Sequence, residues 1–144
     1  MVSLALDDIE ATDQIKESIK EEFKNILSML NFNELGHDIF KRWYTDGRLY
    51  HHLVLPDGNE KGGIQEIRFI DALKMRKVRE VKKEKDPKTN TDVVKEVKEY
   101  YIFQEKPGVS ALNNAVKFHL DSISYVTSGL LDEKRAKVVS HLHK

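Results

Sequence analysis

Residues 46–70 read DGRLYHHLVLPDGNEKGGIQEIRFI, and this stretch decides the fold. Before it, apolar residues recur at helical spacing, whereas from Arg48 onward they alternate with the two-residue period of a β-strand. Pro56, Asp57 and three glycines separate two apolar runs, residues 48–55 and 64–70, so we expect an antiparallel hairpin. Helices followed by locally paired strands indicate an α+β fold.

Two helices are predicted before the hairpin. Residues 8–31 form an amphipathic pattern, typical of a helix that packs one stripe on a core or binds a partner. The second helix is predicted to begin after Asn33, a favourable N-cap residue, and to end at Gly47. Trp43 and Tyr44 could stack on a nucleotide, but their helical spacing favours a place in the core. We expect one shared core that contains Trp43, Leu49, Leu53, Ile67 and Phe69.

After a single turn at residues 71–74, the sequence predicts a second and longer hairpin from two strands at about 76–85 and 93–104, joined by a turn at 86–90. This hairpin is highly charged, and a two-stranded ribbon is marginal alone, so its tip should project into solvent or onto a neighbour. Residues 106–108 are predicted to break the ribbon, and residues 111–114 are predicted to form a loop. Two short strands, 116–120 and 123–126, should follow.

The last predicted element is a helix from Leu131, with Asp132 as its cap. The sequence stops inside it without a C-capping residue, which predicts a truncated helix in a piece of a longer protein. We expect a single domain over residues 1–144, made of an N-terminal helix (1–32), a helix with two hairpins (33–105), and short strands with the C-terminal helix (106–144).

Bulk composition excludes several classes of protein. Lys and Arg number 24, as do Asp and Glu, and this neutral balance argues against nucleic-acid binding by the whole chain. There are no cysteines, so disulfides and thiolate metal sites are excluded. The N-terminus has no signal-peptide pattern, and no apolar run is long enough to span a bilayer. A soluble protein is expected.

No arrangement of side chains predicts catalysis. His51 and His52 are adjacent on a strand and should point to opposite faces, and His141 and His143 should diverge on a helix. Ser128 lacks the glycine pattern of a nucleophile elbow. A small hydrolase is therefore disfavoured, and the sequence predicts no catalytic residue, no metal ligand and no cofactor.

Five segments, in this order, resemble the portal protein of T-even-like myoviruses: residues 40–50, 63–71, 75–81, 121–130 and 140–144. Ala72 stands where that family is expected to have proline, and the tip of the charged hairpin and residues 107–114 match poorly. The resemblance spans about residues 20–144. It assigns structural importance to a set of motif residues, namely Arg42, Trp43, Tyr44, Asp46, Arg48, Ile70, Asp71, Arg76, Val78, Arg79, Ser128, Gly129 and Leu130.

The resemblance implies a structural role in the phage virion, at the capsid vertex, with assembly in the host cytoplasm. The implied partners are other portal subunits in a homo-oligomeric ring, typically of twelve, with capsid, scaffold, terminase and neck proteins. The chain corresponds to the outer wing portion, before the stem and clip. Double-stranded DNA would pass through the full ring without being bound by this piece. An alternative is a protein- or nucleic-acid-binding adaptor that uses the basic run at residues 76–79.

Overall fold

The structure, a computed structural model, describes residues 2–58, 60–88, 90–105, 115–134 and 137–143. Within these ranges lie two helices, two three-stranded antiparallel sheets and two short 3₁₀ turns, which confirms the α+β fold with its two hairpins and short strands. The helices are α1 (Asp13–Met29) and α2 (Phe32–Asp46). The strands are β1 (Arg48–Val54), β2 (Glu66–Ile70), β3 (Met75–Lys85), β4 (Asp92–Phe103), β5 (Val116–Phe118) and β6 (Ile123–Thr127).

Each helix is preceded by a polar N-cap residue. The hydroxyl of Thr12 accepts from the backbone N–H of Ile15 at 3.4 Å, and this bond caps α1. The predicted cap of α2 at Asn33 is wrong, because Asn31 occupies that place with a left-handed backbone (φ 45°). Asparagine tolerates this conformation better than most residues, and here its side-chain amide donates to Glu34 at 2.8 Å.

The first sheet has the order β2–β1–β6. The predicted hairpin is confirmed, with Tyr50 opposite Ile70 in β2 and Leu53 opposite Ile67. The other edge of β1 pairs with β6, far along the chain, so that Tyr50 also lies opposite Tyr125. The second sheet, of order β3–β4–β5, confirms the long charged hairpin.

The two sheets share the main core. Tyr50 stacks on Tyr125 with ring centroids 4.8 Å apart and meets the ring of Tyr101 edge-on at 5.9 Å. Ala72, which follows Asp71, and Met75, the first residue of β3, are also buried. The buried cluster therefore consists of Tyr50, Ile70, Ala72, Met75, Tyr101 and Ile123.

The predicted core is thus partly wrong. Leu49 is buried, but Phe69 is 42% exposed, and Trp43, Leu53 and Ile67 are only half-buried. The register places Leu49, Leu53, Ile67 and Phe69 on the face of the first sheet opposite to Tyr50 and Ile70. That face lies toward the helices, which cover it incompletely, whereas the second sheet covers the other face.

The predicted C-terminal helix is wrong for the residues described beyond β6. Leu131 and Val138 instead form an isolated antiparallel bridge. The carboxylate of Asp132 accepts from the backbone N–H of Lys137 at 3.2 Å, so it closes a turn rather than capping a helix. His141 and His143 follow in a turn. The predictions for residues 106–108 and 111–114 lie outside the described residues.

Candidate functional site: the motif junction

Several of the motif residues meet where α2 ends and β1 begins. We call this region the motif junction, formed by Trp43, Tyr44, Gly47, Ser128, Val139 and His141. Gly47 ends α2 with a left-handed backbone (φ 68°), and its N–H donates to the Trp43 carbonyl at 2.9 Å. Its own carbonyl accepts from the Ser128 N–H at 2.8 Å, which ties the helix end to the segment after β6.

The hydroxyl of Ser128 makes the second tie. It donates to the carbonyl of Val139 at 2.7 Å and accepts from the N–H of Leu130 at 3.2 Å. The Val139 N–H in turn donates to the Leu130 carbonyl at 3.0 Å. Since the hydroxyl is engaged in both directions with backbone, its role is to hold two segments together.

His141 forms the third tie through its ring and its backbone. The ring stacks on Tyr44 with centroids 4.9 Å apart and planes 8° apart, and it lies 4.8 Å from the ring of Trp43. The backbone N–H donates to the Tyr44 carbonyl at 3.2 Å. The ring of His141 therefore packs against the last turns of α2.

Close packing at the junction leaves no room for a side chain at residue 47. A Cβ placed on Gly47 would lie 2.4 Å from the Val139 carbonyl oxygen. Close packing also leaves some side-chain nitrogen atoms buried without a hydrogen-bond partner within the described part of the chain, namely Nε1 of Trp43, Nε of Arg48 and Nε2 of His141. This arrangement is a packed contact between chain segments.

The remaining motif residues lie outside the junction contacts. Ile70 belongs to the main core, and the Asp71 carboxylate accepts from the Leu73 N–H at 2.9 Å in the turn before β3. On β3, Arg76 is exposed, Val78 is half-buried, and Arg79 lies 3.6 Å from the Glu99 carboxylate. Of the first motif segment, Arg42 covers the Phe69 ring at 4.1 Å, while Asp46 is half-buried at the end of α2. Gly129 adopts φ 75°, and Leu130 is 42% exposed.

Several residues on which this structure depends do not follow from the sequence patterns. The pattern from Leu131 predicts a helix over Val139 and His141, and no pattern singles out Tyr50, Met75 or Ile102 as core residues. Gly47 was expected only to end a helix, although it also permits the approach of Val139. The two-residue alternation of residues 48–55 is an available signal for Tyr50, because it places this side chain on one face of the strand.

Three ionisable side chains of β1 have pKa values that are shifted by burial. Burial, followed by the neighbouring Tyr125, raises the pKa of Tyr50 to about 12. Burial lowers the pKa of His51, and burial together with Arg68 lowers that of His52. His51 packs against Phe69 and His52 against Phe118, on opposite faces of β1. Within the described ranges, no three His, Asp or Glu side chains come together as metal ligands.

No described helix is long and apolar enough to cross a membrane.

Comparison with known proteins places these features in a family. The family model "Bacteriophage T4-like portal protein (Gp20)" matches residues 1–144, including the first twenty, where the motifs carry little of the resemblance. The portal protein of Vibrio phage KVP40 is 34% identical over 139 residues, which cover 91% of this chain and 26% of that protein. The portal protein of Salmonella phage ViI is 35% identical over 83 residues, which cover 57% of this chain and 15% of that protein. The chain thus spans about a quarter or less of the length of these relatives.

Proposed function

This chain belongs to the family of bacteriophage T4-like portal proteins, and from that premise we propose that it is a structural part of a portal subunit. The observation that carries the proposal is the match over residues 1–144. The family is structural, and portal proteins are virion components of the capsid vertex. In the complete subunit this part would belong to the outer wing, within a ring through which double-stranded DNA passes during packaging and ejection.

The motif junction supports a structural role for the motif residues. Its hydroxyl and aromatic groups are engaged in backbone and ring contacts, which join the end of α2 to residues 128–130 and 139–141, about 80–100 positions later in the chain. We propose that Trp43, Tyr44 and Ser128 preserve this contact, and that the described elements act as one domain around the shared core of the two sheets. The partners would be further portal subunits, with capsid, scaffold, terminase and neck proteins.

The adaptor alternative is less well supported. The run Arg76–Arg79 alternates between the two faces of β3, so its basic groups do not form one patch. Lys77 lies 2.7 Å and Arg79 3.6 Å from the same carboxylate, that of Glu99. A nucleic-acid site would show affinity that falls steeply with salt. We expect no retention of double-stranded DNA by this chain at low salt in a gel-shift experiment.

Immunoelectron microscopy of purified phage particles tests the proposal directly. Gold-labelled antibodies raised against the 144-residue chain should mark the vertex at which the tail joins, once the vertex is opened by mild denaturation. Mass spectrometry of the same particles should detect peptides of this chain. The control is an antibody against the major capsid protein, which should label the whole shell. Label distributed over the shell, or particles without these peptides, would refute the placement at the portal vertex. Detection in the lysate of infected cells before particles form would support assembly in the host cytoplasm.

A further inference from the structure

The molecule exposes more surface than a compact chain of its size. Its accessible surface is 11,685 Å² for a mass of 16.7 kDa. A compact monomer of that mass exposes about 7,600 Å². The excess is larger than the roughly 1,600 Å² buried in a protein–protein interface of standard size. The fold therefore leaves uncovered an area large enough for a contact with a second protein chain or with further parts of a longer subunit.

One uncovered surface is the outer half of the long hairpin. β3 and β4 have 11 and 12 residues, whereas the strands of the first sheet have 5 to 7, so the hairpin continues past the sheet that covers its base. The face that carries Met75 and Tyr101 at the base carries Val81 opposite Val97 further out, and then Lys83 opposite Val94. We call this surface the overhang and define it as Val81, Lys83, Lys85, Val94 and Val97.

The overhang is apolar and positively charged. Its three valines are 42% to 53% exposed. Neither Lys83 nor Lys85 has an ion-pair partner among the residues that the structure describes. A bulge at Lys95 brings this lysine to Glu84, at 2.6 Å, and Lys82 lies 3.4 Å from Glu96. Ion pairs neutralise these neighbouring groups, whereas on the face of the valines Lys83 lies opposite Val94 and Lys85 lies opposite Asp92.

A second uncovered surface lies at the start of the chain. Residues 2–15 contain four carboxylates and no basic side chain. Asp7, Asp8 and Glu10 are exposed, and with them Ile9 (46%) and Ile15 (52%). We call these five residues the acidic face. Its last residue, Ile15, lies in the first turn of α1, in which no residue is buried.

We infer that the overhang of one copy docks on the acidic face of a second copy. Valines would cover isoleucines, and Lys83 and Lys85 would meet Asp7 and Asp8, so that both the apolar and the charged groups are complementary. The two surfaces differ, so the contact is head-to-tail, and repetition of such a contact produces a ring when the rotation closes. Only the closure of this contact into a ring rests on the proposed function. The pairwise contact is a property of this chain.

Disulfide trapping tests the contact against a background without native cysteines. Val97→Cys in one preparation is mixed with Ile9→Cys in another and oxidised mildly. The matched control replaces Ile9→Cys by Leu73→Cys, since Leu73 is 68% exposed and lies in the turn between β2 and β3. We expect the 97–9 disulfide to form at least about fivefold faster than the 97–73 disulfide, because docking raises the local concentration of the two thiols. This advantage should shrink in 1 M salt.

Charge reversal separates the electrostatic part of the contact. Lys83→Glu with Lys85→Glu in the Val97→Cys chain should remove the advantage over the control. Asp7→Lys with Asp8→Lys in its Ile9→Cys partner should restore it. All four positions are exposed, so these changes spare the core. A 97–9 rate equal to the control rate would overturn the inference, and so would predominant 9–9 disulfides, which indicate a symmetric contact. Either result would leave the location of the protein in virions untouched.

Discussion

At the scale of single residues, Gly47 combines two requirements that no other residue type meets. Its backbone is left-handed, and Val139 occupies the space of a Cβ. Gly47→Ala should lower the free energy of unfolding by roughly 2–4 kcal/mol, as the sum of backbone strain and displacement of the 137–143 segment. Urea denaturation followed by tryptophan fluorescence measures the loss, since Trp43 lies in the junction.

Gly58→Ala is the matched control for this prediction. Gly58 has a similar backbone (φ 73°), but nothing lies within 4 Å of its Cβ position. Gly58→Ala should lower the free energy of unfolding through backbone strain alone, by about 1–2 kcal/mol. Equal losses in the two variants would mean that the approach of Val139 to Gly47 contributes nothing to stability.

The burial of His51 predicts a dependence of stability on pH. Burial lowers the pKa of His51 from its ordinary value of 6.5, and His52 shifts in the same direction. Below pH 6.5 the unfolded chain binds protons that the folded chain does not bind until a lower pH, so the free energy of unfolding should fall as pH falls. Denaturant titrations between pH 7.5 and 5 should show this slope.

Removing the titrating group should flatten that slope. In His51→Gln the decrease between pH 7.5 and 5 should be smaller than in the parent chain. His37→Gln is the control, because the side chain of His37 is 88% exposed. A parent chain whose stability does not change over this range would contradict the burial of His51.

At the scale of elements, local patterns sufficed for the helices and both hairpins. The change of period at Gly47 and the turn residues at 56–63 and 86–90 specify neighbours in sequence. The pairing of β1 with β6 and of β4 with β5 joins distant segments, and no local pattern encodes such a choice. The C-terminal error has the same origin, because tertiary bonds from Ser128 and Tyr44 hold residues 139–141 in place of a helix.

β4 runs from the covered base of the hairpin to the overhang. Truncations at its two ends should therefore lower the free energy of unfolding by unequal amounts. Ile102 has no exposed surface, so Ile102→Ala should cost about 2–5 kcal/mol. Val97 is 42% exposed, and Val97→Ala should cost less than about 1 kcal/mol in dilute solution. Thermal and urea denaturation of both variants provide the comparison. A Val97→Ala loss as large as that of Ile102→Ala would show that the overhang is covered even in the dilute chain.

At the scale of the whole molecule, the sequence could indicate the family and the class of fold but not the motif junction. The motif residues were read as separate segments, and their convergence depends on the β1–β6 pairing, which brings Ser128 to Gly47. Neither could the sequence show which face of the first sheet is covered. Both faces of β1 carry apolar residues, so the sequence pattern does not show which face packs against the helices and which against the second sheet. That depends on how the layers stack.

The open surface of the molecule predicts a shallow denaturation curve. With 11,685 Å² exposed in the folded state, unfolding exposes only about three quarters of the area that a compact chain of this mass would expose. Because the denaturant m-value scales with that area, it should be about three quarters of the value usual for 144 residues. Urea titrations at two protein concentrations, tenfold apart, separate this effect from association, since docked copies would unfold with a concentration-dependent midpoint. A concentration-independent curve with the m-value of a compact chain would mean that the uncovered surfaces fold back onto the molecule, and the overhang would then not be open to a second copy.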